Sequence, residues 1–290
     1  IDFKYFFFFS KLGIFFSIPL LIFTWKYGVN LNSASRWIKI PIIQKSFQPS
    51  ELASISLIIY LSNIFSKSFK KIEDENLILK SFFLICTICG LISLANASYA
   101  ICLFTICIII IFLSDIPFKK LLKFFAIGFG LCIAFISIGQ RKKTFISRME
   151  NFFSNEISFQ NKHSYLAIIN GGIKGMGPGN SIERNILPHP YSDFIFSILT
   201  EEYGILGSIL IIFTYLVLFY LILKKFLLQK NIKKKMMSIS LTIYIIFQAF
   251  LNISVSVGIV PVTGFTFYKH GRNFYDFLSN MFWNNNKFCL

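Results

Sequence analysis

Residues 81–114 read SFFLICTICGLISLANASYAICLFTICIIIIFLS, 34 consecutive positions without an Asp, Glu, Lys or Arg. Wound into one helix they would extend about 51 Å, against a bilayer hydrocarbon core of about 30 Å. The stretch must therefore turn. Its one polar cluster, Asn96, Ala97, Ser98 and Tyr99, is where a turn costs least, so the stretch predicts two consecutive membrane spans.

The same criterion applied outward finds further apolar blocks at 5–25, 52–66, 124–140, 194–223 and 236–260, for about seven spans in all. Composition agrees, with 55% hydrophobic and 14% charged residues and a mean hydropathy of +0.65. The expected fold is all-α, a polytopic transmembrane helix bundle. The net charge of +16 would suggest a nucleic-acid partner in a soluble protein. Here Lys and Arg flank the spans, where lipid headgroups hold them, and no nucleic acid is expected. Thirteen lysines fall in the short loops after 66, after 114 and after 223, while eleven basic residues are spread over the much longer loops 26–51 and 140–193. By density the first set marks the cytoplasmic side, which puts the long loops outside.

The six cysteines include a CxxC at Cys86 and Cys89, inside an apolar helix with no further ligands nearby, and are read as small packing residues. None of His163, His189 and His270 has metal-ligand spacing. Function must then be written in the two long loops. The first holds LNSASRWI at 31–38, with Arg36 and Trp37 read as an interfacial cation and aromatic, and QPSEL at 48–52, where Pro49 and Glu51 suit the first turn of a helix. The second holds GGIKGMGPG at 171–179, five glycines around Lys174, a backbone able to turn its amides toward an anion. It ends in LPHPYSDFIFSILTEEYG at 187–204, where Asp193, Glu201 and Glu202 stand at the mouth of a span. Carboxylates there are costly and so suggest function. Asp193 reads equally as a helix N-cap, and the glutamates equally as structural acids paired with loop cations.

These pieces, in this order, resemble the SEDS family of cell-wall polymerases, the group of FtsW and RodA. LNSASRWI, QPSEL, RMENFF at 148–153, FQNKHSYLAIINGGIKGMGPG at 159–179, LPHPYSDFIFSILTEEYGILG at 187–207 and NISVSVGIVPVTG at 252–264 carry the resemblance, and GPGNS followed by LP is more like the division branch, FtsW, than the elongation branch. The resemblance implies a ten-span fold whose first two spans precede this sequence. It also implies a peptidoglycan glycosyltransferase of the bacterial inner membrane, polymerising lipid II on the outer face during septal cell-wall synthesis, beside a class B penicillin-binding transpeptidase and other divisome proteins. It implies Asp193 as the catalytic base, and Arg36, Gln48, Ser50, Glu51, Gln160, Ser164, Lys174, Gly175, Gly177, Glu201 and Glu202 as substrate-binding residues. A divalent cation, Mg or Mn, held by the acids would be one way to carry the diphosphate. A lipid II transporter, or an inactive remnant of the family, are the competing readings.

Two departures remove charge: the family has lysine where this chain has Ser54, and an acid in the segment that here reads LANASYA, 94–100. The end departs further. The transmembrane domain is expected over 1–264, and the tail 265–290 reads as out of frame, because the family's continuation, FISMGGTS, fits a one-nucleotide shift of FYKHGRNFY.

Overall fold

The computed structural model describes residues 3–31, 34–40, 45–68, 75–114, 142–154, 157–187 and 193–261, with 122, 126–128, 130–131, 134 and 190. The region 124–140, expected to hold the fifth span, and the tail from 265 lie largely or wholly outside the described residues. Eight helices are described below, α1 (Phe3–Tyr27), α2 (Pro49–Ser68), α3 (Glu75–Ala95), α4 (Ala97–Phe112), α5 (Lys142–Phe153), α6 (Phe159–Gly171), α7 (Ile195–Leu228) and α8 (Ile232–Ser256). Four of them, α1, α3, α7 and α8, are long and apolar enough to cross a membrane. The all-α, polytopic reading holds.

The charge-free stretch breaks where its polar cluster lies. Asn96 interrupts the helix between α3 and α4, and its side-chain oxygen accepts the Tyr99 amide at 3.3 Å, capping α4. A single capping residue thus converts one overlong helix into two.

The chain divides into two compact units, one made of Ile1–Phe145 with Leu221–Tyr244, the other of Ile146–Tyr220 with the chain from Ile245 on. Unit one is built around α2. Leu57, Ile58, Leu61 and Phe65 are fully buried, as are Ile85, Ile88 and Ile92 on α3 and Leu103, Ile106 and Ile110 on α4. Helix α2 is less apolar than its neighbours because it is wrapped by protein rather than lipid. It carries buried serines whose hydroxyls return to their own helix, Ser54 to the Ser50 carbonyl at 2.7 Å and Ser62 to that of Ile59 at 2.7 Å. Helix α1 approaches it through Gly13, where a Cβ would stand 2.1 Å from the Ser56 hydroxyl.

The first long loop is not the irregular connection its polarity suggests. It forms a small antiparallel sheet, β1 (Val29–Leu31), β2 (Ala34–Ile40) and β3 (Lys45–Phe47), in that order, with Val29 opposite Trp37 and Ile38 opposite Phe47. Strand β2 contacts α1, α2 and α3. Trp37 is 8% exposed, so the expectation of an interfacial tryptophan is corrected: the sheet turns the indole onto the bundle, where its large apolar area is buried.

Unit two centres on an interrupted helix. At 34 residues α7 would run about 51 Å if unbroken, and it breaks at Gly204, whose φ of 70° and ψ of −170° are non-helical. An uninterrupted helix would bond the Ile205 and Leu206 amides to the Glu201 and Glu202 carbonyls. Instead the glycine-rich loop after α6 supplies all four partners. The Met176 amide donates to the Glu201 carbonyl at 2.9 Å and that of Gly177 to the Glu202 carbonyl at 3.0 Å, while the Ile205 amide donates to the Gly172 carbonyl at 2.9 Å and that of Leu206 to the Ile173 carbonyl at 3.5 Å. The sequence reading of 194–223 as one span with two glutamates inside is thereby refined. Both acids precede the break, and the span proper follows it.

This docking requires glycine for lack of room at three positions, Gly171, where a Cβ would stand 2.1 Å from the Thr200 carbonyl oxygen, Gly175 and Gly204. A Cβ on Gly204 would meet the Ile173 carbonyl oxygen at 2.3 Å, and one on Gly175 the Glu202 carbonyl oxygen at 2.2 Å, whereas Gly172 and Gly179, also at positive φ, face open space. Gly204→Ala and Gly175→Ala should each destabilise the protein by about 3 kcal/mol or more, from strain plus overpacking against backbone. For Gly172→Ala and Gly179→Ala only the left-handed strain of about 1–2 kcal/mol is expected. Thermal unfolding in detergent measures the contrast, and equal losses at all four positions would contradict the docking.

Candidate active site

In unit one the structure gathers the QPSEL residues at the start of α2. The Gln48 side-chain amide donates to the Ser50 hydroxyl at 2.7 Å, and the Glu51 amide donates to the Gln48 carbonyl at 3.2 Å. Gln48 and Ser50 are buried, so this motif first of all fixes its own helix start. Arg36 lies on β2, its side chain outside the described residues.

The segments around Ser54 and Tyr99 meet. Ser54, fully buried, shares a hydrogen bond of 2.8 Å with the Tyr99 hydroxyl, which reaches the Tyr244 hydroxyl at 3.2 Å, a neutral chain of hydroxyls.

In unit two Asp193 lies in the turn before α7 and is 8% exposed. The first backbone bond of α7 runs from the Ile198 amide to the Phe194 carbonyl at 3.1 Å. That puts the start of α7 at Phe194, with Asp193 immediately before it. The turn is anchored from below, since Phe194 is fully buried in a cluster with Leu187, Ile198 and Val255. The Asp193 carbonyl accepts the Asn252 side-chain amide at 3.2 Å. Arg148, on α5, stands close enough to feel the aspartate. Burial lowers the arginine's pKa from its ordinary value, and the negative charge of Asp193 raises it back.

The other two acids of the stretch have different work. The Glu201 carboxylate is fully buried; one oxygen takes the Ser181 hydroxyl, the other the amides of Ile182 at 3.3 Å and Glu183 at 3.5 Å and the Asn170 side chain at 3.5 Å. It holds the loop at the start of the 3₁₀ turn Glu183–Asn185, where amide donors suit a negative charge. Glu202, also buried, pairs with Arg184 at 3.7 Å. Of the two readings left open by the sequence, structural acids paired with the loop is the one the geometry supports.

The expected anion nest is corrected in the same way. The amides of Gly175, Met176 and Gly177 donate to the carbonyls of Gly171, Glu201 and Glu202, so they are not available to a diphosphate. Ser164 is fully buried; its hydroxyl meets that of Ser197 at 2.6 Å and the Ser256 carbonyl at 2.7 Å, tying α6 to both α7 and α8. Lys174 is exposed in the docked loop, and Gln160 is half-buried in the first turn of α6. Among the described residues no three of His, Cys, Asp and Glu stand together as a cation site.

Sequence reasoning passed over Arg148, Asn252 and the pair of His163 and Glu183, whose ring nitrogen and carboxylate lie 2.7 Å apart. The segments containing Arg148 and Asn252 were recognisable as motifs. Neither reads as part of a site until the fold brings α5 and α8 to the turn at 193.

The long apolar helices and the buried polar turn define a multi-pass membrane protein with a polar site at a helix start. Residues 1–268 match the family described as cell cycle protein, that of FtsW, RodA and SpoVE, and the chain belongs to it. It is 33% identical over 273 residues to "Probable peptidoglycan glycosyltransferase FtsW" of Wigglesworthia glossinidia brevipalpis, covering 89% of this chain and 69% of that protein. It is 32% identical to the protein of the same name in Enterococcus hirae, covering 87% and 67%. Two solved structures share the fold at 20% identity. One is a peptidoglycan synthase complex coordinating polymerization and crosslinking, with a TM-score of 0.70 over 97% of this chain and 81% of that one. The other is the rod shape determining protein RodA of Thermus thermophilus, with a TM-score of 0.61 over 91% and 71%.

If Glu201 is the latch of the loop, Glu201→Gln replaces an acceptor by an amide facing donors and should cost about 1.5–3 kcal/mol. Hydrogen exchange should rise selectively at the amides of Ile182 and Glu183, and unchanged exchange there would remove the latch.

Proposed function

We propose that the protein is a peptidoglycan glycosyltransferase of the division type, polymerising lipid II at the outer face of the bacterial inner membrane. Its FtsW-named relatives support the reaction class. The observation that carries the site is Asp193, a buried carboxylate at the start of α7 whose negative charge acts on the Arg148 guanidinium.

The chemistry joins a sugar hydroxyl of one lipid II to the anomeric carbon of a glycan held on polyprenyl diphosphate. Asp193 takes the hydroxyl proton as its oxygen attacks, the bond from the anomeric carbon to the diphosphate breaks, and the electron pair leaves with the diphosphate. The leaving group needs positive charge and fixed donors. Arg148, partly desolvated and presenting several N–H donors, is the first candidate, with Lys174 as a further cation. No step is routed through a metal ion. Glu201 and Glu202 serve by holding the docked loop, and the partner is a transpeptidase of the penicillin-binding class, the kind of assembly seen in the solved synthase complex.

The membrane orientation is tested on a background cleared of native thiols. A cysteine in place of Asn180 should react with an impermeant maleimide added outside, and one in place of Asn231 should not; the opposite pattern inverts the topology.

Asp193→Asn keeps size and hydrogen-bonding shape, so folding should survive. The base is lost, and polymerisation from lipid II in proteoliposomes should fall about 10²- to 10⁴-fold. Wild-type polymerisation by the Asn variant would mean that Asp193 is not the base. Transport of lipid II without polymerisation by the unsubstituted chain would favour the transporter instead.

A further inference from the structure

We infer that Asn252 is a positioning residue for Asp193, setting the direction of its carboxylate from a neighbouring helix; this rests on Asp193 acting as the base. One face of α8 meets the start of α7 and the neighbouring α6 at three successive points. Asn252 donates its side-chain amide to the Asp193 carbonyl at 3.2 Å, Val255 packs with Phe194 and Ile198, and the Ser256 carbonyl accepts the Ser164 hydroxyl, which in turn meets Ser197. Residues 252, 255 and 256 are spaced by three and four, so they share one helical face.

The consequence for Asp193 follows from its place in the chain. Its side chain leaves the backbone at the start of α7, where no helical hydrogen bond yet constrains the peptide. Phe194 is pinned by the apolar cluster, which fixes the far side of the 193–194 peptide. The Asn252 bond to the carbonyl of that same peptide fixes its plane, leaving mainly the side-chain rotamers of Asp193 to choose the carboxylate's position. Both partners are buried, Asn252 at 6% and Asp193 at 8% exposure, so water is a poor replacement for the lost donor. A base displaced by about 1 Å can lose about 10²-fold in rate while substrate binding persists.

The test uses the full chain in proteoliposomes with lipid II. Asn252→Leu keeps the branching and heavy-atom count, at some added volume, and removes the donor, and Asn252→Asp keeps the shape and removes the N–H. Each should lower kcat about 10- to 100-fold with KM changed less than about threefold, while melting stays cooperative at a somewhat lower temperature. A readout independent of turnover is carbodiimide labelling of Asp193 followed by mass spectrometry, which should change several-fold in both variants as the carboxylate is released from its position. Normal kcat with unchanged labelling overturns the inference, as does a rise in KM alone. Failure of both variants to fold would make Asn252 a packing residue and also overturn it. Asp193→Asn run alongside separates the two levels. If that variant polymerises normally, the base assignment falls; if it is inactive while the Asn252 variants are normal, only the positioning role falls.

Discussion

A helix inside a membrane cannot break without a replacement for the hydrogen bonds it gives up, because hydrocarbon offers none. The break at Gly204 opens two carbonyls and two amides, and the loop 172–177 fills all four. Much of unit two follows from this exchange. The loop must carry glycines where its backbone lies on that of α7, the acids at 201 and 202 must fall just before the break, and the span can begin cleanly after it. Gly204 and Gly175 are required because carbonyl oxygens occupy the space a side chain would need.

The docked loop explains why three acids crowd one stretch. Two of them serve the loop itself. Glu201 collects the Ser181 hydroxyl and the amides of Ile182 and Glu183, and Glu202 takes Arg184. A buried carboxylate is tolerable only when its oxygens are met by donors, and these loop donors meet that need. Asp193 differs in its surroundings. It stands at the start of α7, is held through its backbone by Asn252, and has a guanidinium as electrostatic neighbour. The arrangement separates acids that build the site from the acid that carries chemistry.

Unit one shows the same economy of buried polar groups by a different route. Its central helix α2 is rich in serine, and the hydroxyls bond to carbonyls one turn back or, for Ser54, also to Tyr99 across the helix interface. A lysine at position 54, where burial is complete, would need a nearby acid to remain charged.

The helical class, the division of residues 81–114 at Asn96 and the family were all legible in the sequence, because span length is set by bilayer thickness and a capping Asn acts on its own neighbours. Asp193 was legible as a candidate for the same local reason, an acid beside an apolar run. What only the tertiary structure decided was the use of each polar group. Glycine amides that look ready for an anion are committed to the carbonyls of α6 and α7, Trp37 is folded onto the bundle by a sheet too short to show a pattern, and Asn252 reaches the turn at 193, and Arg148 feels its charge, from helices far away in sequence. Periodicity and local propensity report on neighbours within a few residues, whereas the partner of a buried donor or acceptor is chosen by packing between distant segments.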